Sequence, residues 1–353
     1  MTDRKPPLLV HGMHGMGDNL HQRAVVRQLM DTHEVWLETS WVALYHDLIA
    51  EGLHVVRKHV ALRTQLKNQS REQAKFVPPP RGIPDLASVS LSYSGHNVAR
   101  QPNRTILEAL LGAANMRLSY ECADFSLPVP PEWGALVPPF DTGGKPLLVY
   151  RPLVLRPEWR GNDRRNADAD AYAQIFAAIR DRFFVVSVAD LEPGREWITG
   201  PRLKPDATFH KGELPFEALA ALFARAKMVY TSSGFAVLLA QSVGTPVVSV
   251  LGLYERGDHH AAGAKYAPYL AIEPINPCSC QNSFCPRRCS KQIDLHVAIS
   301  KITDFVNALG VPYAERRPMA EMFDPPANEP RISAMQGPRF RPIYKPGDKG
   351  LRA

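Results

Sequence analysis

The sequence has no uninterrupted run of about 18 apolar residues, the length that a membrane-spanning helix requires. Its N-terminal residues MTDRKPP contain no apolar segment ahead of the first strand-like run, so we expect no signal peptide. No internal repeat is present. With 45% hydrophobic residues in 353, the chain has the composition of a globular protein of about two domains. We therefore expect a cytoplasmic protein, with peripheral membrane contact as an alternative.

The charge balance is basic, with a formal net charge of +7 and an isoelectric point near 9.2. This balance favours anionic partners such as nucleic acid, phosphorylated glycans or an anionic membrane face. Much of the positive charge lies in two segments, RKHVALRTQLKNQSREQAK at 57–75 and RFRPIYKPGDKGLRA at 339–353. A solvated helix face and a disordered end are the structural alternatives for these segments.

Strand-length apolar runs alternate with segments of helical period on both sides of a proline- and glycine-rich stretch at 126–146, which we interpret as a linker. This alternation predicts parallel sheets covered on both faces. We therefore predict an α/β protein with two Rossmann-like domains facing a central cleft. The expected divisions are an N-terminal Rossmann-like domain at 1–140, a C-terminal Rossmann-like domain at 141–310 and a proline-rich basic tail at 311–353.

A loop with three glycines, Gly12, Gly15 and Gly17, follows the first apolar run in PLLVHGMHGMGDNLH. Ligands of open α/β sheets bind beyond the carboxyl ends of the strands, where glycines let backbone N–H groups approach phosphates. The loop lacks the full dinucleotide fingerprint at its usual spacing. Asp18 is more informative, because a carboxylate facing a cleft between domains suits a general base. Capping of the following helix is the structural alternative for Asp18.

A second loop occurs in YTSSGFAVLLAQSVGTPVVSVLG, where Ser232, Ser233 and Gly234 open a helix after a buried strand. Hydroxyls and free N–H groups at the positive end of a helix dipole suit a diphosphate or a ribose. An ordinary serine N-cap is the alternative. Gly244 is expected to terminate the helix at the C′ position.

These motifs resemble those of glycosyltransferase family 9, the ADP-heptose:lipopolysaccharide heptosyltransferases and their relatives. GMGDNLH is similar to the family's Gly-Asp motif after the first strand. SSGFAV followed by VGTPVVSVLG is similar to its Thr-Gly helix start and Gly-Thr-Pro strand entry. NPCSCQNSFCPRRC is similar to a cysteine cluster found in many relatives. The motifs occur in the same order as in the family over most of residues 7–309.

The resemblance implies a GT-B fold and an inverting glycosyltransferase of hexosyl or heptosyl type that needs no metal for transfer. It implies a nucleotide-diphosphate sugar as donor and an anionic saccharide or glycolipid as acceptor, as in lipopolysaccharide biosynthesis. It also implies that the domain at 1–140 is the acceptor-side domain and that the domain at 141–310 binds the nucleotide sugar. Carried over residue by residue, Asp18 is the catalytic base and His21 lies on the acceptor side. Gly17, Ser233 and Gly234 approach the donor phosphates.

The sequence departs from the family at two positions that contact the donor in relatives. The aspartate before the Thr-Gly pair is Ser232 here, which we keep in the donor site, and the histidine three residues after the glycine is Val237. The identity of the donor sugar therefore stays open.

Charge on a leaving diphosphate requires waiting hydrogen-bond donors if no metal is used. The candidates are the helix start at 232–234 and the arginines of YRPLVLRPEWRGNDRR at 150–165. Among these arginines we assign Arg156 and Arg160 to this role, because they lie just after the carboxyl end of the strand PLLVY. Arg256 and His259 in YERGDHH are further candidates. A surface position without function is the structural alternative for each arginine.

Four of the five cysteines form a C-x-C-x4-C-x3-C cluster of Cys278, Cys280, Cys285 and Cys289. Four thiolates in a reducing compartment suit tetrahedral zinc or an iron–sulfur cluster with a structural role. A loop of reduced or disulfide-linked cysteines is the alternative.

Two other functions remain open. One is a phage-type glycosyltransferase that modifies hydroxylated bases in DNA, which would need a basic track and aromatic side chains for stacking. The other is a nucleotide-binding protein that has lost catalysis, as the changes at Ser232 and Val237 allow. The residues assigned to a DNA track and to stacking are Arg57, Lys58, Arg63, Lys67, Trp36, Trp41 and Tyr45.

Overall fold

A computed structural model describes residues 5–60, 63–78, 86–93, 105–116, 121–156, 163–253, 255–278 and 290–326. Its strands are β1 (Pro7–His11), β2 (Glu34–Thr39), β3 (His54–Arg57), β4 (Ala87–Ser90), β5 (Leu147–Tyr150), β6 (Val154–Leu155), β7 (Phe184–Val188), β8 (Trp197–Ile198), β9 (Arg202–Leu203), β10 (Ala207–Phe209), β11 (Met228–Thr231), β12 (Val247–Val250), β13 (Tyr269–Ile272) and β14 (Phe323–Asp324). Its helices are α1 (Met16–Met30), α2 (His46–Ala50), α3 (Arg63–Arg71), α4 (Ile106–Ala113), α5 (Pro131–Gly134), α6 (Ala169–Ala177), α7 (Phe216–Arg225), α8 (Phe235–Ser242), α9 (Leu295–Ala308) and α10 (Met319–Met322).

Two parallel sheets organise the chain. The N-terminal sheet has the order β3-β2-β1-β4, and the larger C-terminal sheet has the order β10-β7-β5-β11-β12-β13. Every pair of neighbouring strands in both sheets is parallel. The predicted α/β class with parallel sheets is confirmed. No helix among the described residues is long and apolar enough to cross a membrane.

The hydrophobic core joins the two sheets. One cluster of buried side chains contains Val10 of β1 together with Val149 of β5, Val229 of β11 and Leu238 of α8. Helix α1 packs directly against α8 within this cluster. A second cluster lies on the other face of the C-terminal sheet, where α6 packs against α9. Strands β1–β4 precede residue 141 and β5–β13 follow it, but the core crosses this point, so the domain boundaries stay predictions.

The predicted linker at 126–146 is packed, not loose. Leu127, Trp133 and Val137 are buried in the shared core, and the Leu127 N–H donates to the Ser242 carbonyl at 2.8 Å. Its prolines do not form an exposed spacer. Pro131 occupies the first position of the short helix α5 and helps to start it. The segment therefore connects the sheets and also fills space between them.

The described part of the predicted tail, residues 311–326, packs against the C-terminal half. Met322 and Phe323 are buried in the second cluster, and β14 pairs antiparallel with β9. The Arg317 guanidinium donates to the Asp181 carboxylate at 2.6 Å. Residues up to 326 thus belong to the folded C-terminal half, and 327–353 lie outside the described residues.

A buried ion pair fixes α1 beneath the N-terminal sheet. The Arg23 side chain is fully buried and donates to both carboxylate oxygens of Asp47, at 2.9 and 2.7 Å. It also donates to the Ser126 carbonyl at 2.7 Å and to the Leu44 carbonyl. One guanidinium therefore ties α1 to α2 and to the connecting segment.

Replacing Arg23 with Gln is expected to lower the free energy of unfolding by about 3–5 kcal/mol, because Asp47 keeps only one arginine partner, the less buried Arg27 at 3.1 Å, and the Leu44 and Ser126 carbonyls lose their buried donor. Urea denaturation followed by circular dichroism measures this loss. Arg195→Gln is the control, since Arg195 is exposed and its pairing with Glu192 at 3.7 Å should contribute at most about 1 kcal/mol. Equal losses for the two variants would contradict the assignment.

Candidate functional site

The order of strands reverses at one position in each sheet. In the N-terminal sheet the chain leaves β1 towards β2 on one side and reaches β4 on the other, and in the C-terminal sheet it does the same about β5, with β7 and β11 as neighbours. Crevices outside the carboxyl ends of the strands at such positions are the usual ligand sites of open α/β sheets. The glycine loop and Asp18 follow β1, and Tyr93 follows β4. Arg151 follows β5, and the Ser232–Gly234 turn follows β11.

These loops meet around one cavity between the two halves, with a volume of about 350 Å³. This lies within the roughly 300–1,000 Å³ of small-molecule sites. Charged, polar and apolar side chains line this cavity, and its charged residues carry both signs. The residues used below that line the cavity are His14, Gly17, Asp18, Trp41, Tyr93, Arg151, Arg156, Arg165, Ser233, Gly234, Phe235 and His260.

The three glycines of the first loop make room for protein atoms. A Cβ on Gly12 would lie 2.6 Å from the Glu38 carbonyl oxygen, and a Cβ on Gly17 would lie 3.1 Å from the Phe235 Cα. A Cβ on Gly15 would lie 2.5 Å from an Asp18 carboxylate oxygen. Gly17 does line the cavity, but its small size is required by α8 approaching α1.

Asp18 stands in the first turn of α1 at the cavity wall. Its carboxylate accepts hydrogen bonds from the Gly15 backbone N–H and from the Tyr93 hydroxyl. Burial raises the pKa of Asp18 to about 6, while the Arg165 charge and the Tyr93 hydrogen bond oppose this increase. The Asp18 charge and burial in turn raise the pKa of Tyr93, so its hydroxyl stays protonated. Asp18 thus contributes to the helix start and also presents a carboxylate of raised basicity to the cavity.

The start of α8 faces Asp18 across the cavity. Gly234 adopts φ +121° and ψ −156°, a conformation that essentially only glycine tolerates, and open space surrounds the position of its absent Cβ. The Ser233 Oγ has no hydrogen-bond partner in the described structure and lies at the cavity wall. Ser232 does not line the cavity; its hydroxyl faces the Arg165 carbonyl at 3.5 Å. Two of the three predicted donor residues of this turn are therefore placed where a ligand could contact them.

Two arginines at the cavity wall, Arg156 and Arg151, differ in the groups that they contact. Arg156 lines the cavity, but its Nε lies 2.8 Å from a carboxylate oxygen of the buried Glu196. Arg151 stacks its guanidinium over the Phe235 ring at 4.5 Å, and no carboxylate of the described residues forms an ion pair with it. Burial lowers the pKa of Arg151, which is the response of a cation held in a poorly solvated place. Arg160 lies outside the described residues.

The structure does not place His21 at the cavity wall. Its side chain is fully buried between Phe125, at a ring distance of 5.0 Å, and His260, at 6.4 Å. Burial lowers the pKa of His21 to about 3, so the ring is neutral. Contact with an acceptor is therefore not supported for His21. Its neighbour His260 does line the cavity, is 2% exposed, and has no partner for either ring nitrogen in the described structure.

The further candidates from the YERGDHH segment are tied to neighbouring acids. Arg256 pairs with Asp258 at 3.1 Å. His259 is buried, with its Nδ1 3.9 Å from Glu255. Neither residue lines the cavity.

Helix α3 bridges the two halves with the basic side chains that were assigned to a DNA track. Arg63 pairs with Glu192 at 2.7 Å and Lys67 with Asp190 at 3.3 Å, and both acids belong to the C-terminal half. Arg71 donates to the Gly212 carbonyl at 2.8 Å. These cations are neutralised or engaged within the chain, and this argues against a nucleic-acid track along α3.

The aromatic side chains proposed for base stacking are also largely occupied. Tyr45 is fully buried, and its hydroxyl donates to the Asn19 carbonyl at 3.0 Å. Trp36 stacks on His54 at 4.2 Å and does not line the cavity. Trp41 lines the cavity, and its indole N–H donates to the His14 carbonyl at 2.9 Å. A stacking platform beside a basic surface is thus not formed by these three residues.

The cysteine cluster is described only at Cys278, which is buried. Cys280, Cys285 and Cys289 lie outside the described residues. Across the part of the chain that is described, no three His, Cys, Asp or Glu side chains are grouped to hold a metal ion.

No family model matches the sequence, and no curated protein matches it significantly. Solved glycosyltransferases do match the fold. The bacterial iron-containing dodecameric glycosyltransferase TibC from enterotoxigenic E. coli H10407 matches with a TM-score of 0.55 and 12% identity, over 87% of this chain and 76% of that chain. The complex of TibC, there described as a heptosyltransferase, with ADP-D-beta-D-heptose gives a TM-score of 0.54. E. coli ADP-heptose lps heptosyltransferase II gives 0.53 with 14% identity, over 86% of this chain and 98% of that chain.

The chain therefore has the fold of these heptosyltransferases, and the GT-B fold class predicted from the resemblance is confirmed. Such low identities establish the fold and leave the chemistry to the residues of the cavity. Sequence reasoning missed Tyr93 and His260, and among the arginines of residues 150–165 it chose Arg156 and Arg160 over Arg151 and Arg165. Arg151 had a detectable signal, because it directly follows the strand at which the order reverses.

Replacing Gly234 with Ala is expected to lower the free energy of unfolding by about 1–3 kcal/mol, since an L side chain is strained at this backbone conformation although space is available. Thermal and urea unfolding measure the loss. Gly134→Ala is the control, because Gly134 lies at a helix end with ordinary φ and open surroundings. An undiminished stability of the Gly234 variant would show that this turn is not strained.

Proposed function

We propose that this protein is an inverting glycosyltransferase that uses a nucleotide-diphosphate sugar and requires no metal for transfer. The observation that carries the proposal is the meeting of two loops across one cavity. The carboxylate of Asp18, with its raised pKa, follows β1. Arg151, which forms no ion pair with a carboxylate of the described residues, follows β5 and stacks on Phe235 at the start of α8, next to Gly234. The three heptosyltransferase-type structures with the same fold support this reaction class.

The proposed reaction is a single displacement at the anomeric carbon. Asp18 accepts the proton of an acceptor hydroxyl as that oxygen forms a bond to the anomeric carbon. The bond from this carbon to the diphosphate oxygen breaks on the opposite face, and the diphosphate leaves with the electron pair. Arg151, the Ser233 hydroxyl and the N–H groups at the start of α8 stabilise the charge that develops on the leaving group. Inversion follows from attack opposite the leaving group.

The acceptor is proposed to be a hydroxyl of an anionic saccharide or glycolipid. Arg156 is held by Glu196 at the cavity wall, so we assign it to orientation of the polar substrate rather than to a free phosphate clamp. His260 is a candidate for a hydroxyl of the transferred sugar, because it is buried, neutral and without a protein partner at either nitrogen among the described residues. Val237 is fully buried in α8, so the donor contact made by histidine in relatives is not made here.

Replacing Asp18 with Asn is expected to reduce transfer by about 10²–10⁴-fold, because an amide cannot accept the proton. In the wild type, kcat/KM should fall as the pH decreases through about 6, where Asp18 becomes protonated. The measurement is radiolabelled sugar transfer, or nucleotide release, from pH 5 to 9. Asp31→Asn, on the exposed end of α1, is the control and should retain the wild-type profile.

Stability separates this role from simple helix capping. A carboxyl whose pKa is raised in the folded protein stabilises the fold below its ordinary pKa, and this contribution is lost as the pH rises through about 6. The Asp18→Asn variant should therefore unfold at a higher temperature than the wild type at pH 8. A cap alone predicts a lower unfolding temperature and wild-type turnover, and that pair of results would exclude the base.

Replacing Ser233 with Asp is expected to weaken donor binding by at least about tenfold, because a carboxylate would face the diphosphate at close range. Isothermal titration with a panel of nucleoside diphosphates and their sugars gives the affinities. Ser233→Ala is the matched control and should lose far less affinity, since it adds no charge. Equal affinities for the wild type and the Asp variant would place the diphosphate elsewhere.

We also propose that the four-cysteine cluster holds a structural iron or zinc. The support is the donor set of four thiols within twelve residues, 278–289, and the description of the TibC structures as iron-containing. The metal would hold the cysteine-bearing segment that follows β13 together, and it would take no part in sugar transfer. Elemental analysis of protein purified without added metal should find iron or zinc in the amount expected for about one occupied site per chain, and this metal should be lost in the Cys285→Ser variant. Chelator present in the assay should leave transfer unchanged; a demand for added Mg²⁺ or Mn²⁺ would contradict a metal-independent step.

A further inference from the structure

We propose that Glu255 is a positioning residue that holds the Arg165 guanidinium beside Asp18 and withholds this cation from full pairing with the base. The proposal deepens the proposed function and rests on Asp18 acting as the base. Glu255 itself is buried and does not line the cavity, so it acts through Arg165, which does.

The geometry makes Glu255 the fixed partner. The Arg165 Nε lies 2.8 Å from a Glu255 carboxylate oxygen, and the Glu255 side chain is 8% exposed against 49% for Arg165. The second carboxylate oxygen of Glu255 lies 3.9 Å from the Nδ1 of the buried His259. A buried carboxylate in contact with two basic side chains has little freedom, whereas the half-exposed guanidinium reaches into the cavity. Glu255 therefore determines where this cation stands.

The backbone of Arg165 is held as closely as its side chain. A Cβ on Gly252 would lie 2.2 Å from the Arg165 carbonyl oxygen, so only glycine lets the segment after β12 approach this loop. The Leu253 N–H donates to the Arg164 carbonyl at 2.8 Å. Both ends of the Arg165–Glu255 pair are thus anchored to the turn that follows β12, and the pair is a built feature of this wall.

The two carboxylates near Arg165 respond in opposite directions. Burial acts to raise the pKa of both, but Arg165 and neighbouring histidines bring the pKa of Glu255 down to about 2, whereas the pKa of Asp18 rises to about 6. Environments that move the pKa values of two neighbouring carboxyl groups apart in this way are typical of acid–base sites. Arg165 forms an ion pair with Glu255, and the pKa of Asp18 stays raised although the Arg165 charge acts to lower it.

Several other groups surround Asp18, and each affects its titration. Tyr93 from the loop after β4 donates to the carboxylate, and the Gly15 N–H donates from the helix start. Glu255 raises the pKa of Asp18 through its own negative charge. The remaining titratable or charged residues on the same cavity wall are His14, Lys67, Arg71, Arg151, Arg156, Asp190, Glu196, Glu213 and His260.

Three variants have predicted signs for the pKa of Asp18. Glu255→Gln should lower it by about one unit or more, because a negative charge is removed and Arg165 is released towards Asp18. Arg165→Gln should raise the pKa of Asp18, because the Arg165 charge acts to lower it. Tyr93→Phe should also raise it, because a hydrogen bond to the charged form disappears. If Glu255 had a merely structural role, the pKa of Asp18 would not decrease in Glu255→Gln while it increases in Arg165→Gln.

The titration is measured directly by NMR of protein labelled with ¹³C at aspartate carboxyl carbons, with the Asp18 signal identified by its absence in Asp18→Asn. This readout needs no substrate, so it tests the proposal even if no transfer is found. In active protein, the acidic limb of kcat/KM should move with the NMR pKa, and Glu255→Gln should have a several-fold lower plateau because a weaker base remains.

Asp258→Asn is the matched control, since this carboxylate lies in the same turn but pairs with Arg256 at 3.1 Å. It should leave the Asp18 titration unchanged. An Asp18 pKa that stays constant or rises in Glu255→Gln overturns the proposal, provided that the variant keeps the wild-type circular dichroism spectrum. If Glu255→Gln does not fold, the Arg165→Gln variant decides, and a lowered or unchanged Asp18 pKa there has the same consequence.

Discussion

The close contact between α1 and α8 is the constraint on which the site depends. Gly17 in the first turn of α1 lies so near the first residue of α8 that a Cβ would be 3.1 Å from the Phe235 Cα. Helix α1 follows β1, the strand at which the strand order of the N-terminal sheet reverses, and α8 follows β11, which pairs with β5, the strand at which the order of the C-terminal sheet reverses. Packing the two helix starts together therefore brings the two crevices to one cavity, and the shared hydrophobic core maintains this arrangement.

The same packing removes water from charged groups, and the chemistry of the cavity follows from that. Asp18 becomes more basic through burial, and Arg151 becomes a cation whose solvation is replaced mainly by the face of Phe235. The opposite charges of Glu255 and Arg165 neutralise each other through their ion pair, which stabilises both charged groups next to the cavity. A carboxylate and a guanidinium of this kind would be unremarkable on an open surface, because solvent would restore the ordinary behaviour of both.

Sequence patterns predicted what depends on neighbours along the chain. Alternating apolar runs gave the parallel sheets, Gly244 ends α8 with φ +78° as a C′ glycine does, and Asp18 and the Ser233–Gly234 turn were placed at strand ends where a ligand could bind. Contacts between distant segments were beyond reach. Tyr93 meets Asp18 only because β4 pairs with β1, a pairing that no local pattern encodes. His21 shares a face of α1 with Asp18, and only the packing of Phe125 and His260 over it determines that it is buried.

Helix α3 affects how the basic isoelectric point should be understood. An isoelectric point sums every ionisable group without regard to place, so a lysine paired inside the molecule contributes as much as one facing solvent. Two of the three cations of α3 are paired with acids of the opposite half, Arg63 with Glu192 and Lys67 with Asp190. The electrostatic potential that an approaching polyanion experiences near α3 is therefore weaker than the composition of residues 57–75 suggests.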